Sequence, residues 1–150
     1  MPDKETIQRA REDAREGKSP STQAGEFVRE EIHHIREGKH GARSAKQAIA
    51  IGLSEARRAG VKLDPPKGSA EKRKQAAQDE KAGKNPRHKI SATRSRAAEV
   101  ALKREPRRSA SKSALARQTK TAASKRGKSA RSAAAKKAAR TRRAEEIGKS

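Results

Sequence analysis

The sequence predicts an all-α chain: a small N-terminal helical hairpin or three-helix unit, followed by a largely disordered, helix-prone basic tail. Three observations carry this. Helix-starting Asp, Ser and Thr alternate with glycine stops between Asp3 and Gly60. The larger apolar residues there recur at helical spacing. Beyond Pro66 that pattern dissolves into Lys, Arg, Ala and Ser. Apolar residues make up 30% of the 150, aromatics 1% and charged residues 39%. Such a chain cannot bury enough surface to offset the entropy of ordering it throughout.

The first helix is capped by Asp3, runs to about Glu16 and stops at Gly17. "SPST" opens the second, with Ser21 or Thr22 as cap and Gly38 as terminator. Ser44 opens the third, where Ser44 and Gln47 fit a capping box, and Gly60 ends it. On the second helix Ala24, Val28, Ile32 and Ile35 share one arc with Phe27 at its edge. On the third, Ala45, Ile49, Gly52, Leu53 and Ala56 do the same. Two stripes joined by a short loop read as an αα-hairpin over about 21–60, within a helical domain of residues 1–64. Gly52 allows close helix approach, and Val61 and Leu63 fold back as a lid.

Larger apolar residues between Ser21 and Leu63 are too few to hold the hairpin by themselves. It needs the first helix, a second copy of the chain or a ligand. Ile51 points about 160° away from Leu53 on a helical wheel and suggests a homodimer through the hairpin.

"VKLDPPKG" forbids helix and marks a boundary. Residues 65–106 read as a charged linker with weak helices. "SAEKRKQAAQDEKAG" (Ser69–Gly83) is capped and helix-prone with alanines alone to bury, "NPRHK" breaks it, and Pro106 ends the next segment. Residues 107–150 form the tail, whose basic residues point all round a helical wheel and leave no apolar face to dock.

Charge divides the chain more sharply than apolar pattern does. Met1–Asp64 carries 13 Lys/Arg against 11 Asp/Glu, and the remainder carries a net +20 of the total +22. Pro106–Ala144 holds 14 basic residues and no acidic one. A stretch so one-sided repels itself until a polyanion neutralises it, and nucleic acid is the default polyanion inside a cell. The absence of cysteine excludes disulfides and thiolate metal sites. The N-terminus has no apolar signal region, and no apolar run approaches a membrane span. The expectation is a soluble cytoplasmic protein of the nucleoid with no membrane partner.

The residues that would touch phosphate follow from the charge run. They are Arg107, Arg108, Lys112, Arg117, Lys120, Lys125 and Arg126, then Lys128, Arg131, Lys136, Lys137, Arg140, Arg142 and Arg143. Such side chains neutralise phosphates and release counterions without reading bases. Aromatics that could stack on unpaired bases are missing, which favours a duplex or structured RNA over a single strand. A second candidate is the loop "GKHGARS", whose Gly38 and Gly41 give a GxxG spacing around Lys39 and His40, with Arg43 and Lys46 adding charge. A GxxG loop between helices clamps a nucleic-acid backbone in KH domains, but those need flanking strands and none is evident. A helix-turn-helix reading, with Ser44–Arg58 as recognition helix, is opposed by Glu26, Glu30, Glu31 and Glu37 on the helix before it.

The histidines do not read as a metal or catalytic centre. His33 and His34 diverge by about 100° on a helix. Glu30/His34 and His33/Glu37 lie on different parts of its surface, leaving His40 in the next loop as the one further donor. His34 is expected to cover Phe27, and His33 to be solvated. No triad or carboxylate pair stands out, so neither catalysis nor a cofactor is expected.

The segment "EFVREEIHHIREGKHGARSAKQAIAIGLSEARRAGVKL" (Glu26–Leu63) resembles an uncharacterised family of small bacterial proteins with a "KQAIAIGLSEARRAG"-type core and a basic tail, often labelled DNA-binding. Arg107–Arg143 resembles linker-histone tails and bacterial histone-like proteins in composition. These resemblances imply a non-enzymatic, sequence-nonspecific DNA-binding protein. The alternatives are a structured-RNA or ribosome-associated binder, and a protein-interaction module localised by its tail.

Overall fold

The structure, a computed structural model, describes residues 1–85, 89 and 91–149. The expected helix break at "NPRHK" lies largely outside the described residues, as does Ser150. The α-helices are α1 (Lys4–Arg15), α2 (Pro20–Glu37), α3 (Ala45–Arg58), α4 (Ala70–Lys84), α5 (Ala92–Arg104), α6 (Lys112–Lys125) and α7 (Gly127–Gly148), with a single 3₁₀ turn at Arg107–Ala110. There is no strand among the described residues. The chain divides into two compact units, Met1–Ala114 and Leu115–Ser150.

Within the first unit α2 packs on α1 and α3, α4 packs on α3, and the 3₁₀ turn lies against both α2 and α3. Two apolar clusters result. One gathers Ala10, Ala24, Phe27, Ala56 and Val61, with Ile7, Leu53 and Leu63 against it. The other holds Ile35, Ala42, Ala48 and Ala110, with Ile32 against it. So α1 supplies part of the cover the hairpin lacks, through Ile7 and Ala10, and Val61 and Leu63 fold back onto the same cluster as Phe27. His34 turns its Nε2 toward Glu30 and Asp3. Gly52 sits at a close approach of α2 and α3, and a Cβ there would lie 2.7 Å from the Val28 Cα. Ile51 is half-buried.

Local chemistry explains the helix ends. Ser19, not Ser21 or Thr22, caps α2: its hydroxyl accepts from the Thr22 amide, and Pro20 takes the first helical position. The proline decides this, because its fixed φ and missing N–H suit that position. Gly38 ends α2 at φ 82, the left-handed conformation that closes a helix. At α3 the Ser44 hydroxyl accepts from the Gln47 amide at 3.2 Å, while the Gln47 side chain accepts from the Arg43 amide at 2.7 Å. The reciprocal half of the capping box is therefore displaced by one residue. Ser69 caps α4 as its sequence suggests.

The tail departs from expectation. It is helical through α6 and α7, not disordered. A missing apolar face bears on docking, whereas helix formation itself needs backbone hydrogen bonds and suitable residues. Alanine, lysine and arginine are among the best helix formers, and no proline follows Pro106. With 22 residues, α7 also exceeds the roughly 12–15 at which a favourable sequence recovers the cost of nucleation.

Candidate nucleic-acid interface

The fourteen basic residues from Arg107 to Arg143 are all exposed. None forms an ion pair with a carboxylate among the described residues, whereas Arg9, Lys18, Arg58, Lys84 and Lys103 all do. The positive charge of the tail therefore faces solvent uncompensated. In α7, Lys128, Arg131, Lys136, Lys137, Arg140, Arg142 and Arg143 are spaced by one, three or five residues, with Arg140–Arg142 spaced by two, so they surround the axis. Arg131 folds back on the Gly127 carbonyl at 3.3 Å, which keeps one guanidinium along the helix surface.

The α2–α3 loop is arranged differently. Lys39, Arg43 and Lys46 are exposed, with Lys39 3.4 Å from Glu37. His40 is half-buried. Loop amides that a phosphate would need are taken by the chain itself. Lys39 N–H donates to the His34 carbonyl at 3.0 Å, Gly41 N–H to Leu102 at 2.8 Å, and Ala42 N–H to Pro106 at 3.2 Å. A Cβ on Gly41 would run into the Glu105 carbonyl. The GxxG glycines thus admit the 102–110 segment of this chain, and Arg36 holds that segment from α2 through a 2.9 Å bond to the Ala110 carbonyl. What remains open on the loop is side-chain charge.

Beneath the loop lies a cluster whose closing partner the sequence obscured. Glu30 and Glu31, on the buried side of α2, are 6% and 2% exposed. His34 Nε2 is 3.6 Å from Glu30 and 3.7 Å from Asp3, whose amide donates to Glu30 at 2.6 Å. His40 comes back from the loop to within 3.4 Å of Glu31, and its ring meets that of His34 edge-on at 6.3 Å. Burial pushes the Glu31 carboxyl up to about 7, His40 pulling against it and Glu55 adding to the rise. Glu55 is itself raised by burial. The helical spacing of the acids with His34 was visible in the sequence. The return of His40 depends on the left-handed turn at Gly38 and on the 102–110 segment pressing the loop down, neither of which leaves a local signature.

Among the described residues no helix is long and apolar enough to cross a membrane. The model of a family of unknown function, DUF6496, matches residues 16–68, the stretch that holds α2, α3 and the loop between them. Its description assigns no activity and no DNA-binding role. No curated protein and no solved structure matches the chain.

Proposed function

We propose that the chain binds nucleic acid without reading its sequence, duplex DNA ahead of structured RNA, through the exposed cations of residues 107–143. One observation supports this above the others: fourteen Lys and Arg side chains stand in solvent with no carboxylate paired to any of them among the described residues. A polyanion discharges such a surface and gains entropy from the counterions it releases. Charge on all sides of α7 suits a site with phosphates on both flanks. The B-DNA major groove is about 12 Å wide and a helix with its side chains about 10–12 Å across. The lack of stacking aromatics argues against a single-strand reader.

In this reading the chain before Arg107 is a scaffold, on which Lys39, Arg43 and Lys46 add a second, smaller positive patch. Titration of the full chain into labelled duplex DNA and into a structured RNA, at about 0.15 M salt, tests it. Equal affinity for unrelated duplex sequences is the expected result. RNA binding tighter than duplex binding by about tenfold moves the assignment to RNA. No binding to either ends it.

A further inference from the structure

We propose that Glu31, His34 and His40 bind one divalent transition-metal ion of the zinc class, which fastens the α2–α3 loop to α2. His40 Nδ1 lies 3.1 Å from the Gly41 carbonyl oxygen, which can accept but not donate, so Nδ1 carries hydrogen. In the neutral ring Nε2 then presents a lone pair. That nitrogen faces Glu31 Oε1 at 3.4 Å. The oxygen is buried, on a side chain 2% exposed, and has no hydrogen-bond partner. Two lone pairs held face to face in a low-dielectric interior need a cation or a proton between them.

His34 supplies the third donor. One ligand atom from each of Glu31, His34 and His40 lies within 4.8 Å of the other two. Zinc with bonds of about 2.0–2.1 Å holds tetrahedral donors about 3.3 Å apart, a closure within reach of side-chain rotation. Two imidazole nitrogens and a carboxylate select zinc-like ions over magnesium or calcium, which take oxygen. The bond from His40 Nδ1–H to a backbone carbonyl is the outer contact by which metal-bound histidines are usually oriented. His34 also lines a polar cleft between α1 and α2 that neither Glu31 nor His40 reaches, so an ion and a fourth, water ligand would enter from the His34 side. Asp3, Glu30 and His34 form a competing trio, with one nitrogen and an exposed Asp3. Its Glu30 accepts the Asp3 amide through Oε1 and keeps a buried, unpartnered Oε2, so the single nitrogen and the exposed Asp3 are what make it the weaker site for a zinc-class ion.

The ion would act on more than its ligands. His40 is followed by Gly41, whose amide is bonded to Leu102, so fixing His40 also fixes the seat of the 102–110 segment.

The test is zinc titration of the tag-free full chain, read by the ring nitrogen resonances of its four histidines. One equivalent should move His34 and His40 together and leave exposed His33 in place. By calorimetry, Glu31→Gln and His40→Ala should each weaken zinc by at least about tenfold, with His33→Ala as the unaffected control. Three results overturn the proposal: zinc moves neither His34 nor His40, it moves His33 equally, or a folded Glu31→Gln chain binds it as the parent does. In each case a proton, not a metal, sits between Glu31 and His40.

Discussion

The amide of Gly41 donates to the carbonyl of Leu102 at 2.8 Å, and this bond joins the α2–α3 loop to the end of a helix far along the chain. No residue of α5 is buried, so its own face does not hold it in place. What is held is its C-terminal end and the turn after it, clasped by Gly41, Ala42 and Arg36 and sealed by Ala110 at 0% exposure.

Gly41→Ala should therefore release that segment. The added methyl meets the backbone of Glu105, which cannot turn aside as a side chain would. Overpacking of this kind costs about 1–3 kcal/mol. Urea unfolding should register the loss, and hydrogen exchange should show the Ala42 amide unprotected. An unchanged midpoint with Ala42 still protected would contradict the packing described.

Two glycines of the hairpin should respond with opposite signs. Gly52→Ala places a Cβ 2.7 Å from the Val28 Cα and should destabilise by about 1–3 kcal/mol. Gly25 is exposed within α2 and has nothing within 4 Å of a built Cβ. There alanine should stabilise by about 0.5–1 kcal/mol, because it loses less backbone entropy in a helix. Thermal melts of the two variants beside the parent decide the point.

The contrast shows what was legible in the sequence. Gly52 stands out because it interrupts an apolar stripe, and caps such as Ser44 and Ser69 stand out because they precede runs of helix-forming residues. Gly41 gave no such hint, since its partner is Glu105 and nothing in either segment encodes the meeting. His40 was obscure for the same reason. In the tail, intrinsic helix propensity, which needs no partner, outweighs the absence of a docking face. The exposed tail cations follow from composition alone, and Lys39, Arg43 and Lys46 were likewise placed on the surface from sequence.

Arg58 and Asp79 join α3 to α4, and the pair is lopsided. Asp79 is 2% exposed and takes both Arg58 Nε and NH2 on one oxygen, leaving the other unpartnered, whereas Arg58 is 53% exposed. Arg58→Ala strands a buried carboxylate and should cost about 3 kcal/mol. Asp79→Ala leaves a solvated guanidinium and should cost about 1 kcal/mol. Hydrogen exchange along α4 measures both, since undocking of that helix is the expected response. Equal losses would mean that Asp79 is wetter than the packing implies.

Salt dependence is the sharpest probe of the tail. If about half of the fourteen exposed cations contact phosphates, log K should fall with log salt at a slope near −6, since each contact on B-DNA contributes about 0.9. Replacing Lys136, Lys137 and Arg140 by alanine keeps helix propensity while removing three charges from one arc of about 100° on α7. Should all three lie among the contacts, the slope should ease to about −3.6, with affinity falling alike on every duplex sequence tested. Lys39, Arg43 and Lys46 make the informative comparison, because they carry the same number of charges apart from the tail. A loss confined to the tail variant places the binding on α7, and equal losses extend it to the loop. A slope near −1 in the parent would remove phosphate neutralisation as the basis of binding.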